Sequence, residues 1–150
     1  MGKNHFQTES LLREIVPSKA LQIKVAEYTG KNLVLEAPLA PNRNDKGTAF
    51  AGSIASILAL AGWGLITLQL RDAGISAEVV LTRSETKYKC PVRSDMRAVA
   101  AVDEMGIRKL AAELSAGKRG RISTKSELLS GGKLCAVMHP QYAVFPSVGK

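Results

Sequence analysis

Residues 47–70 read GTAFAGSIASILALAGWGLITLQL, 24 positions between Lys46 and Arg71 without a charged side chain. Such a run can be a membrane span, which needs about 20 apolar residues, or a helix wrapped on every side inside a soluble protein. Gly52, Ser53, Ser56, Gly62, Gly64, Thr67 and Gln69 keep it only moderately hydrophobic, which argues against lipid. The small residues Gly52, Ala55, Ala59 and Gly62 recur at steps of three, four and three, so they share one helical stripe. Ile54, Leu58, Ala61, Leu65 and Leu68 share another. A helix that is apolar all round belongs in a core, and its small-residue face lets something approach closely. About 20 residues make a rod of roughly 30 Å. The stretch therefore predicts a central helix swaddled by a sheet.

The flanks supply that sheet. Upstream, Ser10 to Val16 reads as a short amphipathic helix, with Thr8 or Ser10 as its cap and Pro17 beyond its end. Leu21 to Tyr28 alternates apolar and polar residues, as a half-buried strand does. Thr29 to Asn32 is a turn, and Leu33 to Ala37 completes a hairpin. Downstream of Asp72-Ala73-Gly74, where the helix ends, strand character runs through Glu78–Cys90, Asp95–Val102, Arg121–Leu129 and Leu134–Val144. Leu110 to Leu114 is locally helical. Gly131 and Gly132 supply the positive φ that a hairpin turn at Ser130–Lys133 demands. The order is helix, two strands, one long buried helix, then about four strands. An antiparallel sheet curled around one helix explains it best. Long strands leave edges, and dimerisation through a continuous sheet is the common remedy.

At 150 residues the chain is expected to be one domain, large enough to bury a core without staples. Met1 to Glu9 is polar and carries no secretory signal, and a cytoplasmic location is expected. Cys90 and Cys135 read as reduced, buried thiols. With no CxxC and only His5 and His139, a metal site is not expected. The net charge of +8 asks for an anionic partner. The cations are scattered, apart from Lys118-Arg119-Gly120-Arg121, and no nucleic-acid signature accompanies them. A phosphorylated small molecule or an acidic carrier protein fits that charge as well as nucleic acid does.

With PLAPNRNDKGTAFAGSIASILALAGWGLITLQL (residues 38–70) at its centre, the chain resembles the hotdog fold, an α+β fold whose antiparallel sheet wraps one long central helix. More closely it resembles the thioesterase-like family represented by the C-terminal domain of the bacterial protein YiiD. The resemblance spans nearly all of residues 1–150 as a single hotdog domain. It rests on the short helix before Pro17, PLAPN (residues 38–42), GTAFAGS (47–53), AGWGL (61–65), YKCPV (88–92) and GKLCA (132–136). It implies hydrolysis of an acyl-CoA or acyl-carrier-protein thioester, with coenzyme A present only as part of the substrate and no other cofactor. It also implies a homodimer or tetramer. The acyl chain would lie along the helix, and the thioester carbonyl would face the helix N-terminus. There unpaired amides and the positive end of the helix dipole stabilise an oxyanion as water attacks.

In this chain those donors would be the amides around Ala51, Gly52 and Ser53, with Gly52 letting the carbonyl approach the backbone. Many hotdog thioesterases carry an Asn, a His-Gly-Gly and then a carboxylate about two turns into the helix. Asn44 can play the Asn, but Phe50-Ala51-Gly52 replaces His-Gly-Gly and the carboxylate position falls near Ala59. A base must still reach the water, and Asp45 is the nearest carboxylate in sequence. Thr48, Ser53 and Ser56 can orient a water, and Phe50 can wall the pocket. The strand Thr82–Thr86 can offer Ser84 or Glu85 from the other subunit, and Lys118, Arg119 and Arg121 can grip the phosphates of coenzyme A. Taken alone, Asn44 and Asp45 are ordinary turn formers and the basic run is an ordinary solvated one; the resemblance makes them candidates. Hydratase chemistry is disfavoured because no His lies near the helix. The alternative from another class is a non-catalytic acyl-thioester binding or sensing protein, supported by the missing carboxylate. Nucleic-acid binding rests on charge alone and is not expected, nor is a membrane span.

Overall fold

The computed structural model describes residue 8 and residues 10–147. The elements are α1 (Val16–Ala20), β1 (Lys24–Tyr28), β2 (Asn32–Ala37), a 3₁₀ turn (Ala40–Asn42), α2 (Ala51–Asp72), β3 (Ala77–Arg83), β4 (Thr86–Tyr88) and β5 (Met96–Ala101). They continue with α3 (Glu104–Ser115), β6 (Gly120–Ser123), β7 (Lys125–Ser130), β8 (Lys133–Met138) and β9 (Gln141–Pro146). All but the first four residues of the uncharged stretch lie in the 22-residue helix α2, which ends in Arg71 and Asp72.

Every strand pairing is antiparallel. Six strands run in the order β1-β2-β5-β7-β8-β4, and three in the order β3-β9-β6. These are two halves of one curved surface, because β3–β4, β6–β7 and β8–β9 are each one length of chain that crosses from one half to the other. The three long strands read in the sequence as Glu78–Cys90, Arg121–Leu129 and Leu134–Val144 are thus each broken, at Ser84-Glu85, Thr124 and His139-Pro140. The breaks lie side by side. The His139 amide donates to the Glu85 carbonyl at 3.0 Å, and the Thr124 amide donates to the Pro140 carbonyl at 3.1 Å. The sheet bends as a unit along this line to follow the helix, and Pro140, with no N–H to give, sits where a regular ladder would waste a donor.

Two further expectations are corrected. Pro17 lies in the first turn of helix α1, where its missing N–H forfeits no helical hydrogen bond, and does not close a helix over Ser10–Val16. Thr8 and Ser10 are helical, Leu11 to Glu14 form a turn, and Glu9 lies outside the described residues. The local helix at Leu110–Leu114 extends to the twelve residues of α3. At the β7–β8 hairpin Gly131 (φ 56°) and Gly132 (φ 76°) both take positive φ, as a tight turn there requires.

One face of α2 closes the core. Ile54, Leu58, Ala61, Leu65 and Leu68 are all buried against Leu33 and Leu35 of β2, Ala98 and Ala100 of β5, Leu128 of β7 and Ala136 of β8. Each such Leu or Ile contributes roughly 1.5–3 kcal/mol by leaving water. A second cluster joins Ile66 and Leu70 of α2 to Leu110, Leu114, Ile122, Tyr142 and Val144. Helix α2 is long and apolar enough to cross a bilayer, but most of it is buried inside the fold. Its apolarity is spent on this core.

Candidate active site

The loop before α2 is held by two asparagines with different tasks. Asn42 is buried, and its amide donates to the carbonyls of Leu21 (2.9 Å) and Pro38 (2.8 Å). Its own carbonyl accepts the Phe50 amide at 2.7 Å. Asn44 ties the next turn to itself: its Oδ1 accepts the amides of Lys46 (2.8 Å) and Thr48 (3.1 Å), and its Nδ2 donates to Thr48 Oγ1 at 2.9 Å. Gly47 takes φ 81° inside that turn. The Ala49 amide then donates to the Val92 carbonyl at 2.9 Å, pinning the start of the helix to the chain beyond β4.

Helix α2 begins after Phe50, an extended residue that offers no side-chain cap, and no side chain caps the helix. The first turn therefore presents amides with no helical partner and the positive end of a 22-residue dipole. Phe50 is 56% exposed and lays its ring beside Gly52, where a Cβ would collide with it. Gly52, Ala55, Ser56, Ala59, Leu60 and Trp63 form a half-buried stripe running away from that end. The small-residue stripe thus divides. Gly52, Ala55 and Ala59 stay partly open, whereas Gly62 is buried under Tyr142, whose hydroxyl donates to the Ala59 carbonyl at 2.7 Å.

The structure brings Asn44, Thr48, Phe50, Gly52, Ser53 and Ser56 together around the start of α2. Ser53 is buried, and the Ser56 hydroxyl donates to the Gly52 carbonyl at 2.8 Å. Asp45 stands outside this group, with its side chain 82% exposed and paired to Lys46 at 3.3 Å. Within α2 the sole carboxylate is Asp72, at the far end, where it accepts the Tyr28 hydroxyl at 2.6 Å; burial first, then this bond, raises the Tyr28 phenol well above its ordinary range. Ser84 and Glu85 fall in the break between β3 and β4. Arg119 and Arg121 line a cleft of about 920 Å³ together with Arg83 and Lys109, while Lys118 is exposed outside that lining. Strand alternation buries Ile122 towards α2 and turns Arg121 outwards, so within one chain the sheet separates this basic cleft from the start of α2. Among the described residues no cluster of three or more potential metal ligands occurs.

Tyr88 is a residue that sequence patterning does not place at the site. It is half exposed on β4, and its hydroxyl donates to the Ala51 carbonyl at 3.3 Å. Its signal was present in YKCPV, a motif that carries the resemblance, but nothing local in the sequence tells that β4 passes the start of α2.

A long helix wrapped by one bent antiparallel sheet, with an uncapped N-terminus facing outwards beside a stripe of small residues, defines the chain as a hotdog-fold protein. It belongs to the family described as "Putative thioesterase (yiiD_Cterm)", which matches residues 5–146. The "putative thioesterase from Shewanella oneidensis" is 30% identical, with 94% of this chain and 96% of that one covered at a TM-score of 0.86. A Chlorobaculum tepidum protein of unknown function is 27% identical, covering 95% and 94% at a TM-score of 0.89. A "probable thioesterase" from Pseudomonas aeruginosa is similar in fold, at 20% identity, 98% and 99% coverage and a TM-score of 0.81.

Proposed function

We propose that the chain hydrolyses acyl thioesters, with an acyl-CoA or an acyl carrier protein as substrate and no metal or other cofactor. The observation that carries the reading is the uncapped start of α2 opening onto the half-buried stripe of Gly52, Ala55 and Ala59. The acyl chain lies along that stripe and Phe50 walls it. The thioester oxygen meets the amides around Ala51, Gly52 and Ser53. Water attacks the carbonyl carbon, the oxyanion is held by these amides, and the thiolate leaves. Losing one such donor typically costs on the order of a hundredfold in rate. Asn44 and Asp45 position the water: Asn44 holds the turn that carries Asp45 and Thr48, and Asp45, which faces solvent beside Lys46 in the free chain, turns inwards when substrate binds.

Two chains pair along their β3 edges in this reading, because β3 is a seven-residue edge strand whose Val80 and Leu81 are 47% and 43% exposed. The break after β3 then carries Ser84 towards the neighbouring subunit's site, and Lys118, Arg119 and Arg121 face the anionic part of the substrate. The protein works in the cytoplasm.

The second reading is a binding or sensing protein for acyl thioesters. The absence of a carboxylate from the first 21 residues of α2 favours it. Hydrolysis of an acyl-CoA panel from short to long chains, with product read by chromatography, separates the two. Turnover well above that of Gly52→Trp supports the hydrolase. Saturable binding without turnover supports the sensor. Asn44→Ala and Asp45→Asn that both leave kcat unchanged overturn their assigned roles.

A further inference from the structure

Cys90 and Cys135 are the only two cysteines in the chain, 45 positions apart, and the fold brings them together. Both are free thiols, and Cys90 Sγ lies 2.8 Å from Cys135 Sγ. They stand on neighbouring antiparallel segments, with Tyr88 opposite Ala136 in the β4–β8 ladder. Just past that ladder the amides of Lys89 (2.7 Å) and Cys90 (3.3 Å) both donate to the Cys135 carbonyl. The backbones are therefore already fixed, and the sulfurs are within 1 Å of the roughly 2.05 Å of a disulfide. Small side-chain rotations close that gap.

The position of the pair gives it a consequence. Cys90 lies midway between Tyr88, whose hydroxyl holds the Ala51 carbonyl, and Val92, whose carbonyl holds the Ala49 amide. The segment bearing Cys90 thus grips the start of α2 on both sides. Cys135, at 2% exposure, is packed in the core on β8, so the half-buried Cys90 makes most of the movement that closes the gap.

We propose that Cys90 and Cys135 form a two-electron redox centre, a dithiol that closes to an intramolecular disulfide and clamps the Tyr88–Val92 segment against the start of α2. This goes beyond the thioesterase reading and does not depend on it. Hydrogen peroxide serves as the oxidant. The half-buried Cys90 sulfur attacks one peroxide oxygen, the O–O bond breaks, and a sulfenic acid and one water result. The Cys135 sulfur then attacks the Cys90 sulfur, the S–O bond breaks, and a second water leaves with the thiol proton. Two thiols lose two protons and two electrons, and one peroxide becomes two waters. A dithiol reductant reverses the change by exchange. Burial, followed by the contact with Cys90, pushes the Cys135 thiol up to about 11, so Cys135 enters only as the second partner.

The test is stoichiometric hydrogen peroxide on the folded protein, followed by denaturing alkylation, intact mass and a non-reducing gel. The expected result is a monomer-sized chain that has lost two hydrogens and accepts no alkylating agent, restored by dithiothreitol. Cys90→Ser and Cys135→Ser each abolish that product. Hydrogen exchange supplies the second readout: oxidation of the native chain should slow the amides of Ala49, bonded to the Val92 carbonyl, and of Ile54, bonded to the Phe50 carbonyl, and dithiothreitol should return them. Two alkylatable thiols after oxidation, sulfinic or sulfonic adducts, or inter-chain dimers in place of the internal bond overturn the proposal. A disulfide that forms without slowing those amides overturns the clamp.

Discussion

Two glycines on the same stripe of α2 should respond unequally to the same methyl group. At Gly62 an added Cβ would fall 2.5 Å from the Tyr142 hydroxyl and 2.5 Å from Thr124 Oγ1, both fixed on buried side chains. Gly62→Ala therefore displaces the Tyr142 hydroxyl from the Ala59 carbonyl, costing about 1 kcal/mol for the hydrogen bond. Overpacking adds about 1–3 kcal/mol, and the better helix propensity of alanine returns about 1 kcal/mol. The net loss is about 1–3 kcal/mol, or about 2–4 °C of Tm per kcal/mol for a domain of this size. At Gly52 the three nearest atoms in the way all belong to the ring of Phe50, the free end of an exposed side chain, which can swing aside. Gly52→Ala should stay within about 0.5 kcal/mol of the parent. Urea unfolding followed by far-ultraviolet circular dichroism measures both. Introducing Gly62→Ala into a Tyr142→Phe background should lower its cost, because one of the two obstructing oxygens is gone. Equal stabilities for Gly62→Ala and the parent, or an undiminished cost in the Tyr142→Phe background, would refute the packing argument.

Two further outcomes follow from other parts of the molecule. Under reducing conditions stability should fall as pH rises above 9: the Cys135 thiol, ordinarily at 9.0, is raised to about 11 in the fold, so the folded state holds its proton more tightly than the unfolded chain. That stability is complete below pH 9 and lost towards pH 11, about 2–3 kcal/mol in all; an unfolding series in pH steps should show the fall between pH 9 and 10, before unfolded tyrosines titrate, and Cys135→Ala should flatten it. Val80→Lys, which puts a charge on the proposed β3 pairing edge, should shift the protein from dimer to monomer in light scattering and leave its circular dichroism unchanged; a dimer that survives the substitution places the contact elsewhere.

How far the fold could be read ahead follows from where each signal resides. The two stripes of α2 were legible because helical spacing is a local property, and the buried set Ile54, Leu58, Ala61, Leu65 and Leu68 came out as the spacing implied. The three broken strands were not, because nothing in Glu78–Cys90 demands a break at Ser84. The bend there comes from Thr124 and Pro140 on other strands and from the helix they enclose. Pro17 was legible as a boundary but ambiguous in direction, since proline suits the first turn of a helix as well as the residue after one. The candidate site divides in the same way. Asn44 and Asp45 adjoin in sequence, yet the turn spends Asn44 on its own backbone and turns Asp45 to solvent.

Tyr88 and the two cysteines show the converse. Their neighbours are set by the β4–β8 register, a long-range fact that no window of sequence contains. The same register links the candidate chemistry to the thiols. A residue that touches the start of α2, Tyr88, is two positions from Cys90, and the residue two positions further, Val92, holds Ala49. Any rearrangement of the first turn of α2 that moves Ala49 or Ala51 must therefore move, or be resisted by, the segment between them. A proposed oxyanion site whose donors belong to a helix is only as well positioned as that helix's first turn. Here the first turn has no side-chain cap to fix it. The β4–Val92 segment, together with Asn42 and its grip on Phe50, supplies the positioning that a cap would otherwise give, and leaves the amides free for a ligand.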